Sequence, residues 1–153
     1  GAEKETAVPT QLEATMVLQY GMHFRGSAGS GHTISTDYPM GSPTSAGSTP
    51  LELLLMSLAA CSGGSMAVLL RKAKQQVGGI EVRATGKRRD EHPTCLTDIS
   101  LEFVLRGEGI DPAAVQQAMT LSEQHICPVW AMLKGSTRIE ASFRIESADA
   151  HAM

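Results

Sequence analysis

Eighteen consecutive residues, Leu53 to Leu70, carry no charge, and this stretch restricts the fold more than any other. A run of this length is long enough to cross a bilayer. Ser57, Ser62, Gly63, Gly64 and Ser65 interrupt it with groups that gain little from lipid. It therefore reads as a helix buried on all sides inside a soluble protein, and no membrane partner is expected. Its start is written in Thr49-Pro50-Leu51-Glu52. Thr49 serves as N-cap, Pro50 sits at N1, where its missing N–H costs nothing, and Glu52 at N3 closes a capping box. The helix is predicted to run to about Gln76, before Gly78-Gly79, with Arg71, Lys72 and Lys74 complementing the negative end of its dipole. Ala59, Ala60, Cys61, Gly63 and Gly64 leave room for a second backbone alongside, which suits a tight helix pair across a dimer interface.

Alternating patterns flank this helix. Thr15 to Phe24 is rich in β-formers and reads as one strand. Gly26 to Gly31 reads as a turn-rich linker, and His32 to Thr36 as the partner strand. Asp37 to Pro50, with three prolines and many hydroxyls, is a loop. Ile80 to Lys87 and Thr97 to Arg106 alternate apolar and polar residues, as half-buried strands do, and the charged run from Arg88 to Pro93 is the turn between them. Asp111-Pro112 starts a second helix as N-cap and N1. That helix is expected to break or kink near Cys127-Pro128, because Pro128 disfavours helical geometry before it, and to resume to about Lys134. Thr137 to Glu146 is a last alternating strand. The order β-β-α-β-β-α-β defines an α+β domain with antiparallel sheets. A length of 153 residues suits one domain: a flexible N-terminal segment 1–12, a domain 13–147 and a tail 148–153.

A formal charge of −3 and 4% aromatic residues argue against a nucleic-acid partner. The chemistry rests with three cysteines, Cys61, Cys95 and Cys127. They are too far apart in sequence for a zinc pair, so no metal is expected. A reducing, cytoplasmic compartment is the default expectation. Cys95 reads as a small buried hydrophobe. Cys127, if Pro128 opens a new helical turn, stands at a helix N-terminus whose free amides favour a thiolate. Cys61 lies in mid-helix, where Ser57 and Ser65, four residues to either side, share its face and are candidate hydrogen-bond donors. The five histidines are scattered, and no Ser-His-Asp assembly follows from their spacing.

Pro50-Leu51-Glu52-Leu53 followed by Ala59-Ala60-Cys61 resembles the first signature of the OsmC/Ohr family, and Ser122 to Val129 (SEQHICPV) resembles the second. The likeness covers residues 15 to 146. It implies an OsmC-like fold, an intertwined homodimer with antiparallel sheets around two long central helices, and active sites at the subunit interface. It further implies that Cys61 attacks an organic hydroperoxide and becomes a sulfenic acid. Cys127 then resolves this to a disulfide, and an external dithiol restores the enzyme. No cofactor is implied. Peroxidases of the family surround the reactive cysteine with an Arg–Glu pair, and here the match is imperfect. The Glu position, ten residues before the cysteine, is Leu51; Glu52 is nine before, which a straight helix turns to the face opposite Cys61. Arg25 is the nearest candidate for the arginine, a few residues early. The alternative is a non-catalytic dimer that binds a small apolar ligand or senses redox state.

Overall fold

The computed structural model describes residues 9–40 and 42–148. Residues 1–8 of the expected flexible segment, and residues 149–153 of the expected tail, lie outside the described residues. The described residues form two compact units, divided between Leu53 and Leu54.

The first unit holds strands β1 (Ala14–Tyr20), β2 (His23–Ala28) and β3 (Thr33–Thr36) in one antiparallel sheet of that order. The single strand expected over Thr15–Phe24 is two strands. Tyr20 pairs with His23 across a two-residue turn, and Gly21 at its first position takes φ 53°, which a side chain would strain. The segment expected as a linker, Gly26 to Ala28, is the second half of β2. Met and β-formers on both sides of Gly21 hid the turn. In the following loop the Asp37 carboxylate accepts the backbone N–H groups of Tyr38 at 2.7 Å and Ala46 at 2.9 Å. These two donors hold its pKa below the usual carboxylate value.

Helix α1 (Pro50–Lys72) begins as expected. Thr49 N–H donates to Glu52 Oε1 at 2.9 Å, and Glu52 N–H donates to Thr49 Oγ1 at 3.2 Å, so the capping box is complete. It ends four residues earlier than predicted. Gln75 N–H bonds Leu70 O and Lys74 N–H bonds Arg71 O, with Lys74 at φ 60°. This is a Schellman motif, closed by a lysine where glycine is usual, so the helix stops short of the first glycine after it, Gly78.

The second unit contains β4 (Gly79–Arg88), β5 (Leu96–Arg106) and β6 (Arg138–Glu146), in that order in one sheet. β4 and β5 are antiparallel, as expected. β6 instead runs parallel to β5, because the chain returns from the helical segment to the same end of the sheet. Register puts Val82, Phe103 and Phe143 side by side on one face. Helical cover lies there. Trp130 stacks on Phe103 with ring centroids 6.4 Å apart, and a Cβ at Gly63 would come within 2.9 Å of Val82 Cγ2, so α1 approaches β4 as closely as glycine allows. The opposite face is laced with ions. Arg106 pairs with Glu81 at 2.8 Å and Glu146 at 3.4 Å, and the Arg106 and Arg83 hydrogen bonds hold the Glu81 carboxyl down at about 2. One dry face and one charged face produce the alternation that the sequence displays.

Between β5 and β6 the chain forms α2 (Pro112–Leu121), a π-helical turn (Ser122–Ile126) and α3 (Pro128–Leu133). Asp111 caps α2 by accepting Ala113 N–H at 3.0 Å. Helix α1 is not buried on all sides. Leu58, Ser62, Ser65, Met66 and Leu70 are buried, yet only 28% of its most apolar stretch is covered. The sheet of the second unit covers one stripe of α1, and Met56, Ala60, Gly64 and Val68 remain exposed.

Candidate active site

Proline decides the geometry around Cys127. Ring closure at Pro128 removes its N–H and pushes Cys127 out of helical geometry, to φ −79° and ψ 107°. The helix therefore stops and restarts. The π-turn ahead of it ends with Cys127 N–H donating to Ser122 O at 2.9 Å. Cys127 becomes the N-cap of α3, its sulfur accepting Trp130 N–H at 3.4 Å. The sequence placed the break and the cap correctly.

The thiolate expected at Cys127 is not favoured. The residue is only 2% exposed, and burial pushes its thiol up to about 11. A side-chain hydrogen bond with Cys61, and the charge Cys61 would carry as a thiolate, act in the same direction. The Trp130 and Val129 amides oppose them and lose. Desolvation outweighs a dipole supplied by a helix of six residues.

Cys61 lies half-buried on α1 and shares a cavity of about 350 Å³ with Cys127. Ser65, Val68 and Ile126 line it, and Lys72 stands at one end. Cys61, Ser65, Val68 and Lys72 fall on one helical stripe, so Lys72 sits about 16 Å along the axis from Cys61. The serines do not serve Cys61 as expected. Ser65 Oγ donates to Ser62 O at 2.9 Å and meets Ser122 Oγ at 2.5 Å, while Ser57 is exposed. Ser122 was not singled out in the sequence, where it reads as an ordinary residue of the second signature.

Arg25 is exposed on β2, opposite Val17 and Ser35. Glu52 has its carboxylate in the capping box. Cys95 is exposed, contrary to the buried hydrophobe expected. It belongs to the turn before β5, where its N–H bonds Pro93 O at 2.8 Å, and a turn residue there has no sheet face to enter.

The fold and the paired cysteines define the class. Residues 42–142 match the family model described as "OsmC-like protein", and the chain belongs to that family. It is 34% identical over 137 residues to Protein YhfA of Escherichia coli K12, spanning 90% of this chain and all of that protein. A solved hypothetical protein of Aquifex aeolicus VF5 superposes with a TM-score of 0.80 at 31% identity, covering 90% of this chain and 97% of that one. An organic hydroperoxide resistance protein of Elizabethkingia anophelis shares the fold, with a TM-score of 0.71 at 16% identity over 91% of this chain and 99% of that one.

Proposed function

We propose that the chain is a cysteine-dependent peroxidase acting on organic hydroperoxides. One observation carries this reading: Cys61 and Cys127, distant in sequence, line one largely apolar cavity. In the proposed cycle the Cys61 thiolate attacks the terminal oxygen of ROOH. The O–O bond breaks, ROH leaves with a proton, and Cys61 becomes a sulfenic acid. The Cys127 sulfur then displaces hydroxide from it, which departs as water with the Cys127 proton. An external dithiol reduces the resulting disulfide and is itself oxidised. Cys127, held protonated, suits the second step better than the first. The cytoplasm supplies the reducing setting.

The oxidant class follows from the family, whose solved members include organic hydroperoxide resistance proteins, and from the apolar cavity. By the family resemblance alone, Arg25 is the candidate cation for activating Cys61. Glu52 is assigned to the helix cap. The working form is proposed to be a homodimer. On the single chain Val17, Leu18, Tyr20 and Phe24 of the first sheet, and Met56 and Val68 of α1, are exposed, and a second copy is the occupant that would cover them. Sedimentation should give twice 16.2 kDa.

The deciding experiment mixes reduced protein with one equivalent of cumene hydroperoxide and follows intact mass. A peroxidase loses two hydrogens as a Cys61–Cys127 bridge forms, before Cys95 changes. Cys61→Ser abolishes turnover, and Cys127→Ser leaves a trappable sulfenic acid. Undiminished peroxide consumption by Cys61→Ser sinks the reading, and slow, unselective oxidation of the parent protein leaves a non-catalytic apolar-ligand dimer.

A further inference from the structure

We propose that the buried hydroxyl pair Ser65–Ser122 is a positioning device that holds the Cys61 and Cys127 segments in register for disulfide closure. The inference rests on the peroxidase reading for its first chemical step. Ser65 lies one turn beyond Cys61 on α1, on the same face. Ser122 is tied to Cys127 by its carbonyl, which accepts Cys127 N–H at 2.9 Å. Between them the hydroxyl oxygens are 2.5 Å apart. The Ser65 proton points to Ser62 O at 2.9 Å, so Ser122 is the donor and Ser65 the acceptor of the pair.

One hydroxyl rung thus joins α1 to the segment that follows α2, beside the cavity that the two sulfurs share. Among the described residues no other side-chain hydrogen bond links α1 to residues 112–134. Ser65 is 9% exposed and Ser122 is fully buried. Two buried hydroxyls satisfied largely by one another add little net stability compared with an apolar pair. What they fix is position. The π-turn makes this useful: such turns are rare and concentrate at functional sites, and here it sets the offset from Ser122 to Cys127. A disulfide forms only when the α-carbons come within about 4.4–6.8 Å, a tolerance that sliding α1 by one turn, about 5.4 Å, would exceed. During closure the Cys61 S–O bond breaks, the S–S bond forms and one water leaves. The serines take no part in that bookkeeping and act only through the sulfurs they place.

The test uses the full chain in a Cys95→Ser background, with Ser65→Ala, Ser122→Ala and the double variant. Cumene hydroperoxide is added, sulfenic acid is read by dimedone trapping and closure by loss of two hydrogens. Sulfenic acid should form within about twofold of the parent rate in Ser122→Ala, whose side chain is not part of the cavity lining, while closure slows at least tenfold in each single variant and no further in the double. The double variant leaves no orphaned hydroxyl, so it keeps the fold even where a single does not, and its closure rate then decides. Closure at the parent rate in the double variant, or equal slowing of both steps in Ser122→Ala, overturns the proposal. If the parent forms no sulfenic acid, the peroxidase reading has failed by itself. The register is then read from the Cys61–Cys127 disulfide equilibrium against dithiothreitol, where loss of the pair should lower the effective thiol concentration tenfold and an unchanged equilibrium overturns the proposal.

Discussion

Trp130 donates its backbone N–H to the Cys127 sulfur across 3.4 Å, while its indole is stacked on Phe103 in the core. The one tryptophan in the chain is therefore fixed next to one of the two candidate reacting sulfurs, and it reports on them.

Trp130 emission is predicted to change in two phases after peroxide addition, the slower coinciding with disulfide closure, because a disulfide quenches a nearby indole. Cys127→Ser should delete the slower phase and keep the faster. Stopped-flow fluorescence checks this, and a single phase identical in both proteins contradicts it.

The Cys127 thiol is held up at about 11, against an ordinary 9.0. The folded state thus keeps a proton that the unfolded chain releases. The associated stability is complete below pH 9.0 and lost as pH rises to about 11. In Cys95→Ser, Cys61→Ala protein Cys127 is the one remaining cysteine. Its thiolate absorbance should then titrate below 11 but above 9.0, since Cys61 is gone and burial persists. A midpoint unchanged from about 11 would show that Cys61 has no part in the shift.

Removing the cap at Thr49 should cost about 1 kcal/mol, read by urea denaturation of Thr49→Ala. Glu52→Gln retains an oxygen acceptor for Thr49 N–H. It should leave stability nearly unchanged and the peroxide reaction of Cys61 within about twofold. A hundredfold loss of rate with stability intact would make Glu52 part of the reacting site.

Gly63→Val should destabilise by about 1–3 kcal/mol, because even a Cβ there would lie 2.9 Å from Val82 Cγ2. Thermal unfolding measures it. Adding Val82→Ala should recover part of the loss, and additive losses would place the clash elsewhere.

A proposed cation at Cys61 is tested by Arg25→Ala against Arg25→Lys. Loss of Arg25 charge should slow sulfenic acid formation at least tenfold at pH 7, with Lys restoring part of the rate. Equal rates in all three proteins remove Arg25 from the cycle.

Local rules carried the sequence reading a long way. Thr49, Glu52, Asp111 and Pro128 act on neighbours within a few residues, and each capped or broke its helix where expected. Alternation in β4, β5 and β6 was legible because one face of that sheet is dry and the other bears Glu81, Arg83 and Glu146. The pair of cysteine motifs, and with it the family, stood in the sequence as well. What stayed hidden depends on partners remote in the chain or on backbone freedom that residue type does not announce. Gly21 split one strand into two, Lys74 took a left-handed conformation, and β6 joined β5 in parallel. The state of Cys127 was decided by burial, which no local dipole argument contains. Ser65 found Ser122 rather than Cys61, because hydrogen bonds are won by whichever group the packing brings within 3 Å or so. Sequence chose the two sulfurs; only the packing of α1 against the turn before Pro128 put them in one cavity.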